Sequence, residues 1–186
     1  MNPPAIEALV RVEVVPYDPA WPSRFAAERA SLTTAVGSFF TDLEHIGSTS
    51  VPGLRAKPII DMMAAVATLS ESGPLVSALQ PLGYKLIETG MRNRLFLRKS
   101  NAEGQVFQLH VVEQATWPER KERLMRDHLI AHPDEALAYG ELKDQLAKQF
   151  ADESLTYTKA KTDFIQGMVD RARAERGLAS VDVWND

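Results

Sequence analysis

Between His45 and Met63 the chain reads HIGSTSVPGLRAKPIIDMM: an imidazole, a Gly-Ser-Thr-Ser segment, a lysine, and one carboxylate, Asp61, inside an apolar run. An ionised carboxylate among Ile59, Ile60, Met62 and Met63 is costly to bury, so it calls for a cation, a hydrogen-bond network or a shifted pKa. Glycine lets a turn bring backbone N–H groups and a hydroxyl close to phosphate oxygens, while a carboxylate on the adjoining strand can hold a divalent cation against the same phosphates. Gly47, Ser48, Thr49 and Ser50 are therefore candidate phosphate ligands. Asp61 is the candidate cation ligand or proton acceptor. Lys57, Arg92 and Arg94 are the cations placed to clamp the rest of a polyphosphate, Arg by its two-pronged fork and Lys as a point charge.

A second group with chemistry is His110, in the run QVFQLHVV. Side chains alternate along a strand, so Ile59, Asp61 and Met63 share one face and Gln108, His110 and Val112 share one of theirs. If the two strands pair, Asp61 can meet His110, with Glu44 or His45 as a third ligand. A mixed imidazole and carboxylate set suits manganese, iron or zinc better than magnesium. The plainer alternative keeps His110 neutral, hydrogen-bonded and orienting Asp61. Ser48 has no evident His and Asp partners for attack on a carbonyl, so its hydroxyl is read as an oxyanion ligand.

Elements must hold these groups in place. Val12, Val14 and Val15 suggest a first strand, and Asp18-Pro19 starts a helix whose Trp21, Phe25, Leu32, Val36 and Phe39 face a core while Arg24, Glu28 and Arg29 face water. Strands follow at Leu43 to Ile46, Pro58 to Val66, Tyr84 to Ile87, Asn93 to Arg98 and Gln105 to Val112, with a helix at Ser70 to Leu79. From Trp117 the pattern becomes helical. One helix starts near Pro118-Glu119 and a second at Pro133, with a core stripe of Leu142, Leu146 and Phe150; a third carries Tyr157, Lys161, Phe164, Ile165 and Met168. Tyr157 and Lys161, one turn apart, can face a ligand together, although a core tyrosine beside an exposed lysine is the simpler account. Arg120, Lys121, Arg123 and Arg126, with His128 and His132, make the first of these helices basic. Such a run is ordinarily a solvated face.

The chain has 186 residues, no cysteine and a formal charge of −4. Disulfides, thiolate nucleophiles and Cys-bound zinc are excluded, so any metal is held by oxygen or imidazole. Residues 85–132 carry nine Lys/Arg against six Asp/Glu, which draws anionic ligands to the middle of an otherwise acidic chain. That balance argues against a broad nucleic-acid face and for a small phosphorylated ligand. The opening Met-Asn-Pro-Pro lacks the basic start and apolar run of a secretory signal, and no apolar stretch reaches bilayer length, so a cytoplasmic, non-membrane location is expected.

Gly47-Ser48 followed by Asp61 resembles the opening of the polymerase-beta-type nucleotidyltransferase motif, Gly-Gly or Gly-Ser and then Asp-x-Asp on the next strand. The longer string HIGSTSVPGLRAKPIIDMM, with PYDPAWPSRFAAE, FQLHVV, HLIAHPDEALAYGELK and YTKAKTDFI, closely resembles the GrpB family over about residues 12–170. The resemblance implies an α+β fold: a mixed, mostly antiparallel sheet of nucleotidyltransferase type with a helical C-terminal part. It places one domain over residues 1–177, the sheet core at about 12–113 and the helical part at about 117–177, with residues 178–186 as a loose tail. It also implies a nucleotidyltransferase-like protein that binds a nucleotide or another phosphorylated small molecule with a divalent cation, magnesium or manganese, or a transition metal if His110 ligates. Cation-assisted nucleotidyl transfer to a small acceptor is the matching reaction. The second carboxylate of the superfamily motif is Met63 here, which cannot bind a hard cation, and two-metal catalysis needs bridging carboxylates. That departure favours a non-catalytic binding or regulatory module, and a metal-dependent phosphohydrolase using Asp61, His110 and His45 is the third reading.

Overall fold

The computed structural model describes residues 11–91 and 93–183. Its centre is a five-stranded sheet of β1 (Asp42–Ile46), β2 (Ile59–Val66), β3 (Lys85–Leu86), β4 (Leu95–Ser100) and β5 (Val106–Glu113), in the order β1-β2-β5-β4-β3. The β2–β5 pair is parallel and the other three junctions are antiparallel. This is the mixed, mostly antiparallel α+β arrangement with a helical C-terminal part that the resemblance implies. β2 is apolar at nearly every position because both of its faces are covered. Ile60, Met62, Ala64 and Val66 join Leu97, Leu109 and Val111 in the main core, against Trp21, Leu32 and Val36 of α1 (Trp21–Val36) and Leu75 and Leu79 of α2 (Gly73–Leu79).

α1 starts where Asp18 Oδ1 accepts the Ala20 N–H at 2.8 Å. One residue on it departs from the amphipathic pattern. Glu28, expected to face water, is buried; it accepts the Tyr84 hydroxyl at 2.8 Å and pairs with Lys99 Nζ at 2.6 Å. A buried carboxylate needs such partners, and both come from segments distant in sequence, Tyr84 just before β3 and Lys99 on β4. The expected first strand reduces to a single bridge, Val15 to Ala56.

On the opposite face Trp117, in a short 3-10 segment, seals Ile46, Met63, Ala65 and Val112, and α3 (Lys121–Ala131) docks beside β1; α4 (Pro133–Gln149), α5 (Ser154–Lys159) and α6 (Thr162–Ala174) complete the helical part. The expected single helix through Tyr157 and Met168 is broken at Ala160–Lys161. Tyr157 packs with Val12 and Ala147, whereas Met168 packs with Val51, Leu129 and Ala136, and Thr162 Oγ1 donates to the Lys159 carbonyl at the break. The segment after Gly177 was expected to be a loose tail, but residues 178–183 fold back: Gln166 Nε2 donates to Val181 O, the Val183 N–H to Gln166 Oε1, and Ser180 Oγ to Asp170. Side-chain hydrogen bonds replace the missing apolar periodicity there.

α3 is bolted to β1 by charge. Glu44 receives Arg123 through both carboxylate oxygens at 3.0 Å each and Arg126 at 2.7 Å, while Arg126 also donates to His45 O and Arg123 lies over the Trp117 ring. Burial opposes ionisation of Glu44, yet the two guanidinium groups hold its carboxyl below the usual range. Glu44→Ala is expected to lower unfolding stability in urea by about 1–3 kcal/mol, because it strands two half-buried guanidinium groups. An unchanged midpoint would mean that apolar contacts alone dock α3.

Candidate functional site

Strand register decides which candidates meet. Ile46 of β1 and Gln108 of β5 lie opposite Asp61, and His110 lies opposite Met63. Arg98 of β4 faces Gln108 in turn. Asp61, Gln108, Arg98 and His110 therefore share the half-buried face under α3 to α6, with His110 diagonal to Asp61. The Gly-Ser turn sits directly on the carboxylate. Gly47 has φ +69°, and a Cβ added there would lie 2.6 Å from Asp61 Oδ2. Both the backbone conformation and the close approach require glycine.

Around Asp61 the charge is positive. Burial pushes its carboxyl up to about 7, and the nearby Lys57, Lys161 and Arg98 pull it back. Lys57 comes from the β1–β2 connection and Lys161 from the α5–α6 junction, and both ammonium groups lie against the Tyr157 ring, at 4.8 and 4.2 Å from its centre. Tyr157 is fully buried, in keeping with the simpler account of a core tyrosine, and Lys161 packs on its ring.

Lys143 of α4 escaped the sequence reading. Its Nζ donates to Ser48 Oγ at 3.0 Å and to the Arg55 carbonyl, lies 4.7 Å from the centre of the Tyr139 ring, and is pushed down to about 7 by burial and by Lys161. The signal was available. The most deeply buried stripe on α4 is Ala136, Tyr139, Gly140, Lys143 and Ala147, at helical spacing with a lysine at its centre, and the expected Leu142, Leu146 and Phe150 pack beside it, partly buried. Gly140 packs against Leu54 and Arg55, which lets α4 come close to the turn.

The remaining turn residues hold the turn itself. Thr49 is buried and its hydroxyl donates to Ile59 O at 2.9 Å, so the contact with His45 at 3.0 Å must use the His45 Nε2–H as donor. Ser50 Oγ donates to Gly47 O. His45 points to the face away from Asp61, stacks on Phe25 and is kept neutral by burial, which lowers it to about 4. His110 is neutral for the same reason, also near 4, and its Nδ1 lies 3.4 Å from Arg94 Nη1 while its ring packs on Phe96. Arg94 is buried against Glu122 at 2.6 Å, away from the role of an exposed clamp. Arg92 lies outside the described residues. The expected set of Asp61, His110 and His45 is not brought together. Among the described residues, the His and carboxylate side chains close enough to share an ion are His128, His132 and Glu175, on the helices. Met63, where the superfamily motif has its second carboxylate, is sealed among Ile46, Ala65, Val112 and Trp117.

A surface hollow of about 610 Å³ lies on the α1 side, lined in part by Arg24, Glu28 and Gln105. Its charges are already matched, Glu28 by Lys99 and Arg24 by Asp18 and Gln105, so the cation-rich surroundings of Asp61 are the better candidate site.

Residues 11–171 match the family described as GrpB protein, and the chain belongs to that family. It is 38% identical to a UPF0157 protein of Pseudomonas aeruginosa over 168 residues, 88% of this chain and 69% of that one. It superposes on the crystal structure of the conserved protein GrpB from Enterococcus faecalis with a TM-score of 0.80 at 32% identity, covering 89% of this chain and 99% of the other. It is also 27% identical to a dephospho-CoA kinase of Mycobacterium bovis over 173 residues, which is 88% of this chain and 40% of that protein. Among the described residues no helix is long and apolar enough to cross a membrane.

Two outcomes test this geometry. Gly47→Ala is expected to cost about 2 kcal/mol or more in thermal or urea unfolding, since it combines a strained φ with displacement of Asp61; a cost below about 0.5 kcal/mol would mean the turn does not rest on the carboxylate. Asp61 has a folded pKa raised from 3.8 to about 7, so its contribution to stability is full below the lower value and is lost as pH rises through the upper one. Asp61→Asn should accordingly match the parent near pH 4 and exceed it by about 1–3 kcal/mol at pH 8. Equal stability differences at the two pH values would place Asp61 in water.

Proposed function

We propose that this protein binds a nucleotide or another phosphorylated small molecule between the Asp61 face of the sheet and its helical cover. The observation that carries the reading is the convergence of Lys57, Arg98, Lys143 and Lys161, from four separate elements, on one glycine-serine turn and one carboxylate. Such a cationic surround suits a polyanion, with Lys143 and Ser48 placed to hold one phosphate and Lys57 and Lys161 the next. A divalent cation would be held by Asp61 together with the ligand's own oxygens, as magnesium commonly is with one or two carboxylates, and would offset charge on the phosphates. The match to part of a protein named as a kinase of dephospho-CoA, itself a phosphorylated compound, supports the same ligand class.

Met63 bears on whether the ligand reacts. A lone carboxylate beside a sealed methionine favours a binding or regulatory module over two-metal nucleotidyl transfer. The phosphohydrolase reading loses support because His45 and His110 do not join Asp61.

The test is calorimetric titration of the full chain with nucleoside triphosphates and pyrophosphate, with and without magnesium or manganese, followed by an assay for pyrophosphate release. Saturable binding weakened about tenfold or more by Lys143→Met, with no turnover, is the expected result. Binding unaffected by Lys143→Met and Lys57→Met would overturn the assignment of the cleft. The pH profile follows from the two shifted groups. Asp61 loses its charge as pH falls through about 7 and Lys143 loses its charge as pH rises through about 7, so metal-assisted binding should peak near neutrality and decline on both sides.

A further inference from the structure

At the far ends of α3 and α6 stands a second cluster that the cleft does not use. His128 on α3 and His132, which caps its C-terminal end, lie with Glu175 just beyond α6, and their donor atoms fall within 4.8 Å of one another. We infer that His128, His132 and Glu175 form a three-donor site for a zinc-class divalent cation. Glu175 Oε1 is 3.3 Å from His128 Nδ1 and 3.6 Å from His132 Nε2. Tetrahedral coordination with bonds of about 2.0–2.1 Å sets neighbouring donors roughly 3.3–3.4 Å apart, so these spacings are near those of a loaded site.

The hydrogen-bond partners favour the same reading. His132 Nδ1 faces the His128 carbonyl at 2.8 Å, an acceptor only, so Nδ1 carries the proton and Nε2 presents its lone pair toward Glu175. His128 is almost wholly buried, with one carboxylate at each ring nitrogen: Glu175 at Nδ1 and Glu135 3.3 Å from Nε2, where no directed hydrogen bond forms. A neutral imidazole has a single N–H, so one of these contacts sets a lone pair against a carboxylate unless a positive charge intervenes. Without an ion the directed contact is from Nδ1 to Glu175 Oε2 at 3.4 Å; an ion bound at Nδ1 would take the place of that proton and leave the ring's N–H on Nε2, toward Glu135. Glu135 is itself held by both ends of the Arg171 guanidinium at 3.0 and 2.7 Å, the kind of outer carboxylate that fixes a metal-bound histidine. The other charges facing the cluster are Arg176, 4.0 Å from Glu175, and Asp127, 3.8 Å from Arg176. Two imidazoles with one carboxylate and a fourth position open to water suit zinc better than magnesium or calcium.

The ion would tie the C-terminal end of α3 to the end of α6, and binding to the folded state alone would raise thermal stability. The test uses the full chain, stripped with chelator and titrated with zinc and cobalt in the absence of nucleotide. Saturable one-to-one binding, visible absorption of tetrahedral cobalt, and a melting temperature that rises with zinc are expected. His132→Ala and Glu175→Gln, both at half-exposed positions, should each weaken binding about tenfold or more, while Asp61→Asn leaves it unchanged. Absence of one-to-one binding, or equal affinity in both helix variants, would overturn the site and leave His128 as an imidazolium held between two glutamates. Zinc binding lost with Asp61→Asn and kept in the helix variants would also overturn it.

Discussion

The contact of Gly47 with the Asp61 carboxylate is the constraint from which the site is built. The turn can lie on the carboxylate only because position 47 has no side chain and takes a left-handed φ, and that placement brings Ser48 to Lys143 and the β1–β2 connection to Tyr157. The sheet supplies the platform. β2 is pinned on both sides by β1 and β5, so the one polar residue in its apolar run has a fixed direction and no freedom to escape to bulk water. Neighbouring cations offset only part of the cost of holding it there, and the remainder appears as a carboxyl pushed up to about 7.

Much of this was legible from residue order. The strand carrying Asp61 reads as a strand because of its unbroken apolar character, and the proline at position 133 marks the start of α4. The Gly-Ser turn and its carboxylate are close in sequence, so their proximity follows from local chain geometry. What could not be read locally depends on register and on helix rotation. Alternation puts Asp61 and His110 on one face but does not say that Gln108, and not His110, stands opposite the carboxylate. Glu28 and Lys143 were hidden because a charged residue in an amphipathic helix is ordinarily read as surface, and only tertiary partners reveal otherwise. Arg94 shows the converse, a cation that looks exposed beside a hairpin and is buried against Glu122.

The distribution of charge separates two clusters within one helical layer. Near the sheet, α4 and the α5–α6 junction contribute lysines. At the opposite end of α3, histidines meet carboxylates. Glu44 and its two arginines lie between, holding α3 to β1, so events at either end are referred to the same rigid anchor.

Tyr157 adds a mechanical consequence. Two ammonium groups, one from the sheet layer and one from the helical layer, press on a single aromatic ring. The negative face of the ring attracts both cations. Tyr157 thereby acts as a rivet between the layers, so that loss of one aromatic ring would loosen the β1–β2 connection and the α5–α6 junction together.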